Sequence, residues 1–437
     1  MESRLRRLYE RFWGSDGGSV FRSAAFLSGG TATGLILVGL SLPILSRLYS
    51  AADFGTYAVY TSVLSLLLVT SAMRYELAIP LPEDESDGLN LLILSLGIVV
   101  LVAALVTIGV YLVDDEIARW TKTQLVLPVG LAAAGAYQAL SLWGVRSQAF
   151  RALGTTIVVQ RTAQVATQVV LGFSGRLSGG LVVGDTVGRS CASAVLGILL
   201  LRRIRGVIWR TVSLREMRRL AARYKRFPQF TLAASLANTA STQLPFILLA
   251  ALYGRTVTGY FAVAEAMGSF VHNVVATPVA QAYMREAVEA WRRGPLELQS
   301  LYIKTMRKLA IIGLVPAVAL LVGVRYVAPV ALGSAWLEAG QYAQVLSFGF
   351  YAVFLAQPLS RTLIVMELQP LQLAWDVTTL VVTTLALTVA DQIGFGGYGA
   401  VTAYSIALFA VSGTYVLVPL LAIRRRQVRP GDAEPLH

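Results

Sequence analysis

Cysteine occurs once in this sequence, at Cys191, and histidine twice, at His272 and His437. A single thiol excludes an intramolecular disulfide, and so few thiols and imidazoles leave no Cys/His metal cluster. No G-x-x-x-x-G-K-[ST] run appears, which excludes a P-loop ATPase. Charge is scarce too, at 14% of residues, and it is lopsided: 24 Asp and Glu stand against 37 Lys and Arg. No loop on the outer side is long enough to fold into a domain, which argues against a polymerase or ligase that works through a large extracytoplasmic loop.

What fills the space is apolar sequence. Hydrophobic residues make up 56% of the 437 positions, and the mean hydropathy of +0.64 is too high for a soluble protein of this size. A helix needs about 20 mainly apolar residues to cross the hydrocarbon core, because every backbone polar group must be paired within its own segment. Twelve such spans are expected, over 23–46, 54–73, 88–113, 123–145, 152–175, 177–201, 227–253, 256–284, 305–327, 339–360, 368–390 and 394–423. The ninth is interrupted by Pro316 and ends near Arg325.

Lys and Arg set the orientation. With the N-terminus inside, the inner segments hold 29 of the 37 basic residues, so the expected location is the cytoplasmic (inner) membrane with both termini cytoplasmic. The net charge of +13 then reflects basic flanks facing anionic lipid and not a nucleic-acid surface. The first apolar run starts late and outlasts a signal-peptide core, so no cleavable leader is expected. Residues 1–13 alternate Leu5, Leu8, Phe12 and Trp13 with Arg4, Arg6, Arg7 and Arg11, the pattern of a short interfacial helix or of a basic tail that only sets topology.

In the middle of the chain a strongly basic stretch, Arg202 to Arg226, runs into an uncharged apolar one. There the sequence echoes its beginning. Leu42-Pro43, Leu48-Tyr49 and Gly55-Thr56-Tyr57-Ala58-Val59 reappear as Leu244-Pro245, Leu252-Tyr253 and Gly259-Tyr260-Phe261-Ala262-Val263. The reading is an all-α polytopic membrane protein of about twelve transmembrane helices, in two six-helix lobes related by a parallel pseudo-repeat. Its expected parts are a basic N-terminal segment 1–22, an N-lobe 23–201, a basic linker 202–226, a C-lobe 227–423 and a tail 424–437.

Charges inside spans cost about 2.5 to 3.5 kcal/mol each at mid-membrane, so they face an internal cavity or one another. Arg161, Gln164 and Gln168 recur at helical spacing in the fifth span. Asp185 and Arg189 stand four apart in the sixth, beside a small-residue seam of Gly180, Gly184, Gly188 and Ala192 that admits a close neighbour. The pair reads equally as a self-neutralised structural contact and as part of a pathway. Glu265, Ser269 and His272 share a face of the eighth span, where the carboxylate and imidazole are proton-accepting groups; a lone intramembrane His also serves as a hydrogen-bonded packing residue. Gln372, Asp376, Thr379 and Thr383 share a face of the eleventh span, and Ser235, Asn238 and Thr242 one of the seventh. Polar faces from both halves are what a central cavity requires. Asp185, Glu265, His272 and Asp376 are the expected ion-coupling residues. No cofactor is expected.

The run Tyr224-Lys225-Arg226-Phe227-Pro228, with Asn238, Ser241-Thr242-Gln243-Leu244-Pro245, Leu252-Tyr253-Gly254 and Gly259-Tyr260, resembles a pattern of bacterial polysaccharide flippases. Asp53-Phe54-Gly55-Thr56-Tyr57, Arg74-Tyr75-Glu76-Leu77-Ala78-Ile79 and Gly333-Ser334-Ala335-Trp336 are similar to further elements of that group. The family is the polysaccharide transport branch of the multidrug, oligosaccharidyl-lipid and polysaccharide exporter superfamily. The resemblance implies two six-helix lobes and movement of an undecaprenyl-diphosphate-linked oligosaccharide between leaflets by ion-coupled alternating access, with membrane lipids and other polysaccharide assembly proteins as partners. Under it, Arg161 and Arg189 are the candidates for the diphosphate, because a guanidinium holds phosphate oxygens bidentately. Gln164, Gln168, Asn238 and Thr242 are the candidates for the glycan.

A drug/cation antiporter of the same superfamily is the nearest alternative; it would favour cavity carboxylates, and the first span has none. A major facilitator would carry a G-x-x-x-D-R-x-G-R-R-type loop after its second span, where this chain reads RYELAIPLPEDES. An enzyme acting on lipid-linked sugars would need an acid/base group at the surface, and the carboxylate cluster Glu83, Asp84, Glu85 and Asp87 reads as a solvated loop.

Overall fold

The computed structural model describes residues 17–112, 126–175 and 179–428. The expected interfacial helix at 1–13, the outer-loop residues Arg119, Lys122 and Arg176, and the end of the tail lie outside them. The described chain is helical throughout. Helices α1 (Gly17–Leu48), α2 (Ala51–Thr70), α3 (Glu85–Leu112), α4 (Val126–Arg146), α5 (Phe150–Ser174) and α6 (Gly180–Thr211) cover the first six expected spans. After α7 (Leu214–Arg223) follow α8 (Leu232–Val271), α9 (Thr277–Arg293), α10 (Pro295–Val318), α11 (Val324–Leu332), α12 (Leu337–Val365), α13 (Gln369–Gln392) and α14 (Gly397–Val428).

Ten helical runs among the described residues are long and apolar enough to cross a membrane. They correspond to twelve helices. The fifth expected span, α5, is a helix of 25 residues whose polar stripe of Gln160, Arg161, Gln164 and Gln168 lowers its apolar character. The seventh and eighth are one helical run, Phe227–Arg293, broken at Gly254, where φ is 84° and ψ is 174°. That conformation is open to glycine and closed to most side chains. Three π-helical turns, Phe227–Thr231, His272–Ala276 and Ala319–Gly323, interrupt the later helices. The last joins α10 to α11 just after Pro316, whose missing N–H opens the ladder. The Gln344 amide in α12 donates to the Leu321 carbonyl inside that turn at 2.7 Å.

The helices form two compact units. The first holds the described residues up to Leu48 together with Leu64–Ala233; the second holds Tyr49–Val63 and Ala234–His437. The first half of α2 therefore packs with the later helices, and the basic central stretch belongs to the earlier unit.

In the first unit the expected small-residue seam of α6 lies against α5. A Cβ added at Gly184 would stand 2.3 Å from Gln168 Cγ, and one at Gly188 would stand 2.6 Å from the Gln160 carbonyl. The central basic stretch is folded. α6 continues to Thr211, and α7 docks by Leu220, which is fully buried. Tyr75 donates its hydroxyl to the Ala221 carbonyl at 3.1 Å, and Arg219 pairs with Asp87 at 2.8 Å. Asn90 bridges both sides of the α6–α7 turn, donating to the Thr211 carbonyl at 3.2 Å and accepting from the Ser213 N–H at 3.0 Å. Arg146 donates to the carbonyls of Ile79, Pro82, Glu83 and Asp84. Glu83 and Asp84 of the acidic cluster are thus held by their backbone carbonyls, and Asp87 by its side chain.

In the second unit the Gly333-Ser334-Ala335-Trp336 motif is an anchor. The buried Trp336 ring meets Phe54 edge-on at 5.0 Å and Tyr260 at 6.1 Å. Phe54 directly precedes the first echoing run, and Tyr260 belongs to the second. Such contacts add about 0.5–1.5 kcal/mol each beyond area burial.

Candidate functional site

A cavity of about 660 Å³ opens within the second unit, lined by residues of α8, α10, α12, α13 and α14 together with His272. Five of the residues given a binding or coupling role from sequence meet there, Asn238, Thr242, Glu265, His272 and Asp376, with Ser269, Gln372 and Thr379 of the same polar faces. They converge because each occupies the polar face of its helix. Glu265 and His272 are seven residues apart, close to two turns, with Ser269 between them donating to the Glu265 carboxylate. The backbone passes into the π turn at His272 itself, a local widening that often accompanies functional sites.

Asp376 stands in a second polar group. The Gln372 amide donates to its carboxylate at 3.4 Å, and the Tyr415 hydroxyl donates to the Gln372 carbonyl oxygen at 2.5 Å. Asn238, on α8, lines the same cavity as Asp376. Beside them the rings of Trp375 and Tyr415 stack at 4.0 Å with an interplanar angle of 31°. A flat aromatic surface next to fixed amides, hydroxyls and carboxylates combines shape with directional hydrogen bonding, as small-molecule sites do.

Sequence reasoning missed the cation of this cavity. Arg361 was expected in an inner loop, but α12 runs on to Val365, and Arg361 lines the cavity near the end of that helix. Trp375 and Tyr415 were missed as well. The available signal was spacing: Gln372, Trp375, Asp376 and Thr379 fall on one face of α13, and all four line the cavity.

The other expected residues lie in the first unit. Gln164 and Gln168 are only 4% and 2% exposed, enclosed where α5 meets the α6 glycines. Gln168 donates to the Leu181 carbonyl at 2.9 Å, and Gln164 accepts from Arg161 at 3.0 Å. Arg161 also packs on α1, where a Cβ at Gly34 would lie 3.1 Å from its Cγ. Arg189 pairs with the buried Asp185 at 2.6 Å. The ten expected residues thus divide, five around the cavity and five on α5 and α6.

The sequence matches the family model described as polysaccharide biosynthesis protein over residues 44–341, more than half of the chain. No curated protein matches it. Among solved structures, an inward-facing multidrug resistance MATE transporter of the MOP superfamily aligns with a TM-score of 0.67 at 12% identity, covering 91% of this chain and 96% of that one. The lipid II flippase MurJ, in an inward closed conformation, aligns at 0.65 and 11%, covering 95% and 94%. A MOP superfamily transporter from Pyrococcus furiosus, with a binding pocket described as reversed in polarity, aligns at 0.60 and 14%, covering 93% and 96%. With that fold and that match, the chain belongs to the polysaccharide biosynthesis protein family and has the architecture of the MOP superfamily transporters.

Proposed function

We propose that this protein is a flippase that carries an undecaprenyl-diphosphate-linked oligosaccharide across the cytoplasmic membrane for surface polysaccharide assembly, by ion-coupled alternating access with both termini cytoplasmic. One observation carries the reading: a cavity large enough for several sugar residues is faced by a Trp375–Tyr415 stack, by amide and hydroxyl groups, and by a guanidinium. Family membership and the shared fold with a lipid II flippase support it. The glycan stacks on Trp375 and takes hydrogen bonds from Asn238, Thr242 and Gln372. Arg361 offers the diphosphate a bidentate partner, and the polyprenyl tail stays in lipid. Glu265, His272 and Asp376 are the proton or cation acceptors. Within the first unit, Arg161 and Arg189 are further candidates for the diphosphate, Gln164 and Gln168 for the glycan and Asp185 for ion coupling, and each arginine already holds a polar partner there.

The test is flipping in proteoliposomes, with a fluorescent undecaprenyl-diphosphate oligosaccharide, an outside-only quencher and an imposed proton or sodium gradient. Gradient-dependent loss of protected signal is expected, slowed at least tenfold in Arg361→Ala and Trp375→Ala proteins that keep their melting temperature. Export of organic cations without movement of any lipid-linked glycan would replace this reading with a drug/cation antiporter.

A further inference from the structure

The turn after α2 carries Met73 and Arg74 in the left-handed region, at φ 52° and 63°. Non-glycine residues occupy it reluctantly, and two in succession need a compensating contact. The turn places Glu76 at 1% exposure, outside the membrane-spanning helices and against α4. There Gln138 Nε2 donates to Glu76 Oε1 at 3.2 Å. Two buried atoms of the same two groups are left without a partner, Glu76 Oε2 and Gln138 Oε1, and Arg74 Nε is a third. A carboxylate oxygen and an amide carbonyl both only accept. Leaving both unpaired out of water is costly, and a proton on the carboxyl satisfies the two together.

We propose that Glu76 is a proton-binding site, holding its proton on Oε2 and donating it to Gln138 Oε1, so that acid and amide join by two hydrogen bonds and pin the 73–78 turn to α4. The neighbouring guanidinium agrees. Arg74 stays 3.5 Å from the buried Glu76 Oε1, a separation otherwise seen in the exposed Arg293–Glu289 pair, whereas Arg189 meets the buried Asp185 at 2.6 Å and Arg219 meets the largely buried Asp87 at 2.8 Å. Arginine closes to about 2.7–2.9 Å on an ionised carboxylate, and it has not done so here. Burial pushes the Glu76 carboxyl above its ordinary range, against the pull of its own backbone N–H and of Arg74.

The remaining titratable groups near the turn are engaged elsewhere or exposed. On α3, Asp87 is held by Arg219 and Glu85 is exposed. On α4, Arg146 binds loop carbonyls, and Tyr137 hydrogen-bonds Thr156. On the turn itself Tyr75 donates to Ala221. The π turn Phe227–Thr231 brings no titratable side chain. When the proton leaves for water, the carboxylate turns to Arg74, Gln138 loses its donor, and one of the two bonds pinning the turn is gone.

The full-length protein in lipid nanodiscs tests this by infrared difference spectroscopy at neutral pH. Wild type is expected to show a protonated-carboxyl C=O band that is absent from Glu76→Gln. In Gln138→Leu the band moves to higher wavenumber, since the acid loses its partner. Glu76→Gln mimics the protonated acid, so its melting temperature should match wild type at about pH 4, below the ordinary carboxyl range, and hold, while wild type falls towards about pH 8. The sign follows from the folded state keeping a proton that the unfolded chain releases, so stability drops as pH rises through that interval. No carboxyl band lost in Glu76→Gln, or a band unmoved in Gln138→Leu, overturns the proposal. Should Glu76→Gln not fold, the Gln138→Leu band shift decides alone.

Discussion

Gly55 and Gly259, 204 residues apart and equivalent in the two echoing motifs, press into each other's helix starts. A Cβ on Gly55 would lie 1.9 Å from the Arg255 carbonyl oxygen, and one on Gly259 would lie 1.8 Å from the Ala51 carbonyl oxygen. The contact is reciprocal, and both sides are backbone. In a bilayer, where apolar burial drives helix association weakly, such close approach supplies the dispersion contacts that hold helices together.

Alanine at either glycine is therefore expected to cost about 1–3 kcal/mol, the scale of overpacking in a tight interface. Gly97→Ala is the control, because its added Cβ meets nothing within 4 Å and alanine favours a helix by about 1 kcal/mol. Thermal unfolding in detergent should separate the three variants. Equal melting temperatures would show that the helix starts part easily.

Asp185 and Arg189 give a second expectation. The Asp185 side chain is fully buried and Arg189 is 23% exposed, so Asp185→Ala takes the 2.6 Å ion-pair partner from a largely buried guanidinium and should destabilise by about 3–5 kcal/mol. Asp185→Ala with Arg189→Met should recover most of that loss. Transport by the stable double variant then decides the role of the pair: wild-type flipping makes it structural, and lost flipping makes it part of the passage.

Asn90 is the third case. It holds both sides of the α6–α7 turn, and Asn90→Ala leaves one donor and one acceptor without their partner, at about 1–3 kcal/mol for each group that stays buried. Faster trypsin cleavage among the arginines of α7 should accompany a lower melting temperature. Unchanged cleavage would mean that Leu220 and the Arg219–Asp87 pair hold α7 without it.

Sequence alone determined the class of this protein, because uninterrupted apolar runs leave a chain no alternative to crossing lipid as helices. It also determined that Glu265, Ser269 and His272 share a face, and likewise Gln372, Asp376 and Thr379, because helical spacing is a local property. The tertiary structure decided which faces meet. The α5 stripe and the α6 glycines were both visible in the sequence, yet nothing local says that Gln164 and Gln168 fill the space the glycines leave. Arg361 reads as a loop cation because it follows the apolar part of its span, and Trp375 and Tyr415 read like any aromatics near a membrane surface. Only the packing of α12, α13 and α14 turns these three towards one cavity. The unpartnered atoms of Glu76 and Gln138, 62 residues apart, likewise exist only once α4 covers the turn.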